Sequence, residues 1–226
     1  MQPLQPHTSY HIFNHANGFE NIFREAENFR YFLEKYRLYI SPIAETYAYC
    51  LMPNHFHLVI RIRQWEVIEK LILNSSNSTN NSNSTFPKVL NFGKGEIEKK
   101  RIDNPSIEKY LSKQFANLFS CYTQSFNKSY KRMGSLFIKN FKRETIDDRH
   151  HFINAVIYTH RNPVHHGFRE KYDDWDFSSY FEIIHERSDL IEVDKLLKTF
   201  GGKEQFMLLH QQGIEKLDHF NPYEIS

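Results

Sequence analysis

Cysteine and long apolar runs are both scarce in this chain. Its 226 residues include only two cysteines, Cys50 and Cys121, and their spacing matches no metal-binding pattern. Two such thiols are typical of a reducing compartment, so a disulfide scaffold is excluded. No apolar stretch is long enough to cross a bilayer, and the first residues lack the apolar core of a secretion signal. We therefore expect a cytoplasmic protein.

A strong excess of charge of one sign is also missing. The net charge is +2 at pH 7, from 29 Lys and Arg residues against 27 Asp and Glu residues. Any binding of nucleic acid would therefore depend on local basic clusters rather than on a global field. Aromatic residues are abundant by contrast, with 13 Tyr and 20 Phe. Most are expected in the core of one main domain, which is what this length favours.

Apolar periodicity and turn residues indicate the secondary structure. The predicted elements are a strand at 9–14, a helix at 25–39, strands at 43–51 and 55–63, a helix at 65–73, a long helix from Pro105, a strand within 135–146, and a helix capped by Asp147 or Asp148 and ended by Pro163. This order predicts an α+β, ferredoxin-like βαββαβ fold, with an antiparallel sheet and helices packed on one face. A helix bearing Tyr158 and a helical C-terminal extension complete the prediction.

Composition divides the chain further. A tract of twelve Asn, Ser and Thr residues at 74–85 cannot bury a core, so we expect a flexible insertion at 74–105. The main domain is predicted to span 1–185. Residues 186–226 form the predicted extension, with a pair of short helices around Gly201 and Gly202.

Two histidines share one face of a predicted strand. In MPNHFHLVIRIR, alternation places His55, His57, Arg61 and Arg63 on one side and Phe56 among the core residues on the other. Imidazoles at alternate positions lie roughly 7 Å apart at Cβ, which is close enough to share a cation. An exposed strand face with incidental histidines explains the pattern equally well, because two ligands do not make a metal site.

A third ligand is available in YTHRNPVHHGF. Tyr158 and Asn162 lie four residues apart on a predicted helix and so project from the same side. With two imidazoles and one amide oxygen, a cation would keep open positions for phosphate oxygens, which suits Mg²⁺ or, given the nitrogen ligands, Mn²⁺. Tyr158 beside such a cation could attack a phosphate and form a phosphotyrosine.

Five motifs together resemble a known family, the HUH single-tyrosine transposases of bacterial insertion sequences and the related REP-associated tyrosine transposases. The motifs are YHIFNHANGFENIF, MPNHFHLVIRI, GSLFIKNFK, YTHRNPVHHGF and WDFSSYFE, within residues 9–182. The resemblance implies a ferredoxin-like nuclease in which His55, His57 and Asn162 bind a divalent metal. It also implies that Tyr158 attacks single-stranded or hairpin DNA, leaving a 5′-phosphotyrosine and a free 3′-hydroxyl without a need for ATP.

Some features depart from the family pattern. His15 stands where the family often has arginine, the Asn/Ser/Thr tract lengthens the link before the long helix, and His165 and His166 replace commoner residues after NPV. These departures concern the substrate more than the chemistry. Family members act as dimers or as monomers, so a homodimer is one possible assembly.

Basic residues near the predicted site are candidates for DNA contacts, because each phosphate they neutralise strengthens binding at low salt. The candidates are Arg61, Arg63, Arg132, Lys139, Lys142 and Arg143, with Lys142 and Arg143 favoured for a phosphate role. Two alternatives stay open. One is a domesticated relative that binds DNA hairpins without turnover, and the other is a ferredoxin-like metal-dependent hydrolase that uses water.

Overall fold

The computed structural model describes residues 2–77 and 102–212, and it has an antiparallel sheet with helices on both sides. The strands are β1 (Ser9–His15), β2 (Ala44–Met52), β3 (His55–Ile62) and β4 (Lys142–Ile146). The helices are α1 (Ala26–Tyr39), α2 (Trp65–Asn77), α3 (Asn104–Ser129), α4 (Arg149–His165), α5 (Tyr180–Ile184), α6 (Val193–Phe200) and α7 (Lys203–Gln212).

The strand order in the sheet is β2-β3-β1-β4, and all three pairings are antiparallel. This order, with α1 between β1 and β2 and α3 between β3 and β4, is that of the ferredoxin-like fold. The predicted fold class is therefore confirmed. The central strands β1 and β3 pair in a register that sets His15 opposite His55 and Phe13 opposite His57.

The two faces of the sheet have different coverings. On one face, α1 and α3 bury a conventional aromatic core, in which Phe32 contacts both Phe56 of β3 and Tyr122 of α3 with ring centroids 5.3 Å apart. On the other face, α4 packs against β2 and β3. Because α4 covers the side that carries His55 and His57, that side of the sheet is buried. The helices α1 and α3 pack on one face as predicted, and the Tyr158 helix, for which no face was predicted, covers the other.

Residues after α4 cover one of the two edges of the sheet, the one formed by β2. In the edge strand β2, Leu51 N donates a backbone hydrogen bond to Phe177 O, and Tyr49 O accepts one from Ser179 N. Glu192 N donates to Thr46 O a little further along the same strand. An uncovered edge strand invites pairing with other chains, and these contacts prevent it.

Three boundaries differ from the sequence-based prediction. Helix α2 continues to Asn77, four residues into the polar tract, and the rest of that tract lies outside the described residues. Only Lys142–Ile146 of the predicted 135–146 strand pairs, because the preceding residues form a loop joined to β1 by one bridge at Phe137. Helix α4 runs through Pro163 to His165. A proline in the last turn removes a single helical hydrogen bond, which the helix tolerates.

Other local predictions are confirmed. Pro105 lies in the first turn of α3, as predicted, and Asp148, one of the two predicted caps, caps α4 by accepting a hydrogen bond from His151 N. The cap of α3, which was not predicted, is Asp103, which accepts from Ser106 N. Gly201 ends α6 with φ of 91°, a left-handed conformation that favours glycine. Within residues 2–77 and 102–212, no helix combines the length and apolar character that a bilayer crossing requires. The division at residue 185 stays a prediction.

We expect a buried hydroxyl pair to contribute measurably to stability. Tyr36 Oη of α1 lies 2.8 Å from Thr46 Oγ1 of β2, and both residues are buried. The Tyr36→Phe variant leaves the threonine hydroxyl unpaired and should lower the free energy of unfolding by about 1–3 kcal/mol. The double variant Tyr36→Phe/Thr46→Val removes both partners and should recover part of that loss in urea denaturation. A double variant that loses the sum of the two single effects would contradict this assignment.

Candidate active site

The four residues predicted to form the site meet beneath α4. His55 Nε2 lies 2.8 Å from Asn162 Oδ1, and the ring centroids of His57 and Tyr158 lie 5.5 Å apart. The exposed fraction is 1% for His55 and His57, 3% for Tyr158 and 0% for Asn162. The histidines therefore do not lie on an exposed strand face. Within the single chain, the helix that carries Tyr158 lies against His57.

His11 was not among the predicted site residues, and it is a direct partner of His57. His11 Nε2 lies 2.9 Å from His57 Nδ1, and on its other side His11 Nδ1 lies 3.8 Å from Glu144 Oε2. Histidines that bind metals are usually oriented by such a hydrogen bond through the second ring nitrogen. The only sign of it in the sequence was that His11 and His15, four residues apart in YHIFNH, share one face of the predicted strand, as His55 and His57 do on theirs.

Aromatic rings surround Tyr158 on several sides. The rings of His11 and His57 meet it edge-on, at centroid distances of 5.8 and 5.5 Å. The ring of His165, two turns of α4 further on, stacks on it at 5.5 Å. Tyr158 is therefore held in one orientation by imidazoles.

The residues that depart from the family pattern also converge on this site. His15 stacks on His55 with ring centroids 4.7 Å apart. The ring centroid of His166, at the end of α4, lies 4.4 Å from that of His55. Together with His165 beside Tyr158, these residues line the margin of the site, where His15 and His166 are half-buried and His165 is exposed. The departures thus cluster at the position where a substrate would enter.

Burial keeps the site histidines neutral. Desolvation lowers the pKa of His55 to about 3, helped by the nearby His166 and His15. Desolvation also lowers the pKa of His57 well below its usual range, with His11 and His55 adding to the effect. Neutral imidazoles keep a lone pair on one nitrogen, which is the form that binds metal ions.

The contacts of His55 fit a bound cation. Its Nδ1 lies 2.7 Å from Asn54 Oδ1 while its Nε2 faces Asn162 Oδ1, yet a neutral imidazole has a single N–H. Unless one amide rotates by half a turn, two lone pairs therefore oppose each other. Asn162 Nδ2 is buried without a hydrogen-bond partner. A cation held by His55 Nε2 and Asn162 Oδ1 would relieve the repulsion, and adjacent octahedral ligands of Mg²⁺ lie about 3 Å apart, close to the separation seen here.

The donor set is small. His57 uses Nδ1 for His11, so Nε2 is the nitrogen that could act as a third ligand. Among residues 2–77 and 102–212, no three His, Cys, Asp or Glu side chains are arranged to hold a metal ion. The predicted set of two imidazoles and one amide oxygen thus stays a prediction, with open positions for other ligands.

Of the favoured basic pair, Lys142 lies on the site face of the sheet. It is exposed and sits opposite Phe13, which pairs on its other side with His57. Arg143, the next residue, points to the α3 side, where its guanidinium lies 4.9 Å from the ring centre of Phe141. Burial without hydrogen-bond partners at Nε and Nη1 lowers the pKa of Arg143. Strand alternation separates these two neighbours.

The remaining predicted DNA contacts have different surroundings. Arg132 donates to Glu20 Oε2, Asn127 Oδ1 and Ser135 O. It therefore connects the loop after β1, which contains Glu20, with the end of α3 and the loop that follows it. Arg63 donates to Ser41 O. Arg61 lies about 13 Å along β3 from His57 and contacts His7. Lys139 is exposed beside a groove of about 290 Å³ between α3 and the loop before β4.

A ferredoxin-like sheet that buries paired histidines under a tyrosine-bearing helix is the arrangement that the sequence motifs implied. No family model matches the chain. A curated protein of Haemophilus influenzae, described as "Putative REP-associated tyrosine transposase", is 23% identical over 184 residues, which cover 80% of this chain and 77% of that protein. The resemblance drawn from the motifs is therefore confirmed at the level of sequence similarity.

A solved structure was also found. It is the REP-associated tyrosine transposase bound to a REP hairpin, with 14% identity and a TM-score of 0.48, covering 86% of this chain and 88% of the other.

We expect the buried neutral histidines to make folding stability depend on pH. His55 and His57 stay neutral in the folded chain, whereas an unfolded histidine takes up a proton near pH 6.5. The unfolded state then binds more protons below that pH, so the free energy of unfolding falls by up to about 1.4 kcal/mol per pH unit for each such group. Urea midpoints should drop between pH 7 and pH 5. The exposed His150→Gln variant should keep this slope and His57→Gln should reduce it, and equal slopes would contradict the assignment.

Proposed function

We propose that this protein is a transposase that cleaves and rejoins single-stranded DNA through a phosphotyrosine at Tyr158, and that it recognises DNA hairpins. One observation carries the proposal: α4 brings Tyr158 and Asn162 against the buried pair His55 and His57. The similarity to a protein described as a REP-associated tyrosine transposase supports the same reaction class.

Each side chain has a defined task in this reaction. Tyr158 Oη attacks the phosphorus, a new O–P bond forms, and the bond from phosphorus to the 3′ oxygen breaks. The phenolic proton is matched by the proton that the released 3′-hydroxyl gains. Rejoining runs the same exchange in reverse with another 3′-hydroxyl, so the energy of the broken bond is conserved. His11 orients His57, and the surrounding imidazoles fix the direction of the phenol.

His55, His57 and Asn162 would hold the divalent cation, Mg²⁺ or Mn²⁺. When bound, the cation supplies charge that polarises the scissile phosphate. The chain's own contribution is to keep both imidazoles neutral by burial and to present Nε2 of His55 beside Asn162 Oδ1. Amide oxygen and imidazole ligands together favour Mn²⁺ over Ca²⁺.

The DNA would approach along the basic segment that precedes α4. Residues 127–143 contain six Lys and Arg residues and no acidic residue. The groove beside Lys139 has aromatic walls from Phe119, Phe137 and Phe141, with Thr123 and Gln124 on the α3 side. Aromatic walls next to a cation suit an unpaired base with its phosphate. Asn14 also lines this groove, on the α3 side of the sheet, whereas its neighbour His15 faces the site, so a single strand that contacts both must pass around the end of β1.

A second candidate function is recognition of DNA hairpins without turnover. The observation that favours it is the 3% exposure of Tyr158, because a phosphate can reach the phenol only if the packing around it opens. The basic segment would serve binding equally well in either case. Detection of a covalent intermediate separates the two functions.

We expect Tyr158→Phe to abolish covalent adduct formation while binding is retained. Purified protein is incubated with Mn²⁺ and single strands that contain a hairpin, and adducts are resolved on denaturing gels. The variant keeps the ring packing and loses only the nucleophilic oxygen, so adducts should fall by at least about 1,000-fold, as expected for a missing nucleophile. Binding by the wild type without any adduct would favour the recognition function. Cleavage that survives in the variant would indicate that water is the nucleophile.

Metal ligation and DNA contact should separate in a pair of variants. His57→Ala removes a proposed ligand and should abolish cleavage, with the dissociation constant for DNA changed less than about threefold because phosphate contacts use other residues. The control Lys142→Ala removes an exposed charge on the same face and should weaken binding. The slope of log K for DNA binding against log salt concentration should become less steep by about one. Parallel loss of both properties in His57→Ala would argue against this division.

A further inference from the structure

A chain of buried hydrogen bonds connects α7 with α4 on the side away from the candidate site. His160 Nδ1 lies 2.9 Å from His210 Nε2, and His160 Nε2 lies 2.8 Å from Ser179 Oγ. The three side chains are fully buried. None of them takes part in the reaction proposed above.

The direction of each hydrogen bond from Phe206 O through His210 and His160 to Ser179 follows from its donors and acceptors. Phe206 O can only accept, so His210 Nδ1, 2.8 Å away, carries the proton. In a neutral imidazole His210 Nε2 is then an acceptor, and His160 Nδ1 must donate to it. His160 Nε2 in turn accepts from the Ser179 hydroxyl. Burial lowers the pKa of both histidines, which agrees with these neutral forms.

At the Ser179 end, this series of hydrogen bonds is fixed to the sheet. Tyr49 N of β2 donates to Ser179 Oγ at 2.9 Å, and Ser179 N donates to Tyr49 O at 3.0 Å. His160 is therefore held through one nitrogen by the edge strand and through the other by α7. A second link is adjacent, because Arg161 Nη1 donates to His210 O at 3.0 Å.

His160 occupies the middle of the functional stretch of α4. It follows Tyr158 by two residues and precedes Asn162 by two, and positions two apart project from nearly opposite sides of a helix. Fixing His160 at its own side therefore sets the rotation and depth of α4, which decide where Tyr158 and Asn162 lie relative to β3. A rigid frame of this kind is required because misplacement by about 1 Å can cost a hundredfold in rate.

We infer that His210 is a positioning residue for the reaction: from the C-terminal helix α7 it holds α4, through His160, in the orientation that places Tyr158 and Asn162 against His55 and His57. This inference rests on the proposed function for its kinetic consequence. The C-terminal extension then has a task in catalysis without contacting DNA.

Variants of His210 test this role. His210→Leu keeps an apolar side chain of moderate size and removes the acceptor for His160 Nδ1. His210→Gln can restore an acceptor through its side-chain oxygen. The matched control is Leu196→Ala, which opens a cavity at a fully buried position of α6 and leaves the hydrogen-bonded chain intact.

Single-turnover adduct formation at saturating hairpin DNA is compared with the dissociation constant for the same DNA measured without metal. We expect His210→Leu to slow adduct formation at least tenfold while the dissociation constant changes less than twofold, and His210→Gln to recover most of the rate. Leu196→Ala should lower the unfolding temperature and keep the rate. An unchanged rate in His210→Leu, or a loss of rate in Leu196→Ala as large as in His210→Leu, would overturn the inference.

A readout that needs no activity separates this inference from the proposed function. Amide hydrogen exchange in α4 should accelerate in His210→Leu relative to wild type and to Leu196→Ala. If the wild type forms no covalent adduct with DNA, the transposase proposal fails. The rate of amide hydrogen exchange in α4 then decides by itself whether His210 positions this helix. Unchanged exchange in α4 of His210→Leu would overturn the positioning role.

Discussion

The structure depends on keeping polar side chains neutral and paired beneath α4. A ferredoxin-like sheet normally leaves one face free, but here that face carries His11, His55 and His57, and α4 closes over it. Burying imidazoles costs free energy unless their nitrogens find partners. His11 and His57 are partners of each other, whereas His55 lies between the amide oxygens of Asn54 and Asn162, and its single N–H can satisfy only one of them. The helix that covers the histidines therefore also supplies the groups that complete the site.

The same constraint operates on the other side of α4. His160 and His210 are as deeply buried as the site histidines, and they are satisfied by Ser179 and a helix carbonyl. Helix α4 thus lies between two sets of directional hydrogen bonds. Apolar packing alone tolerates small sliding and rotation, whereas hydrogen bonds weaken steeply with misalignment, so this arrangement specifies one position for the helix.

The C-terminal segments serve both the sheet and the site. Residues 177–179 and 191–192 cover the edge of β2, and Ser179 joins that edge to His160. The extension is therefore coupled to the sheet as well as to α4. This coupling links the position of α4 to contacts made far along the chain.

The sequence by itself determined the elements, the topology and the pairing of site residues, because alternation along β3 and the four-residue spacing of Tyr158 and Asn162 are local properties of strand and helix. The long-range contacts could not be obtained in this way. Nothing in YHIFNH states that His11 would contact His57, and nothing in the C-terminal helix indicates that His210 would contact His160. Strand alternation separates Lys142 from Arg143, but which of the two faces the site depended on how β4 pairs with β1, and the burial of the histidines depended on which face α4 covers. Tertiary packing decided these points, because only it brings residues distant in the chain within hydrogen-bonding distance.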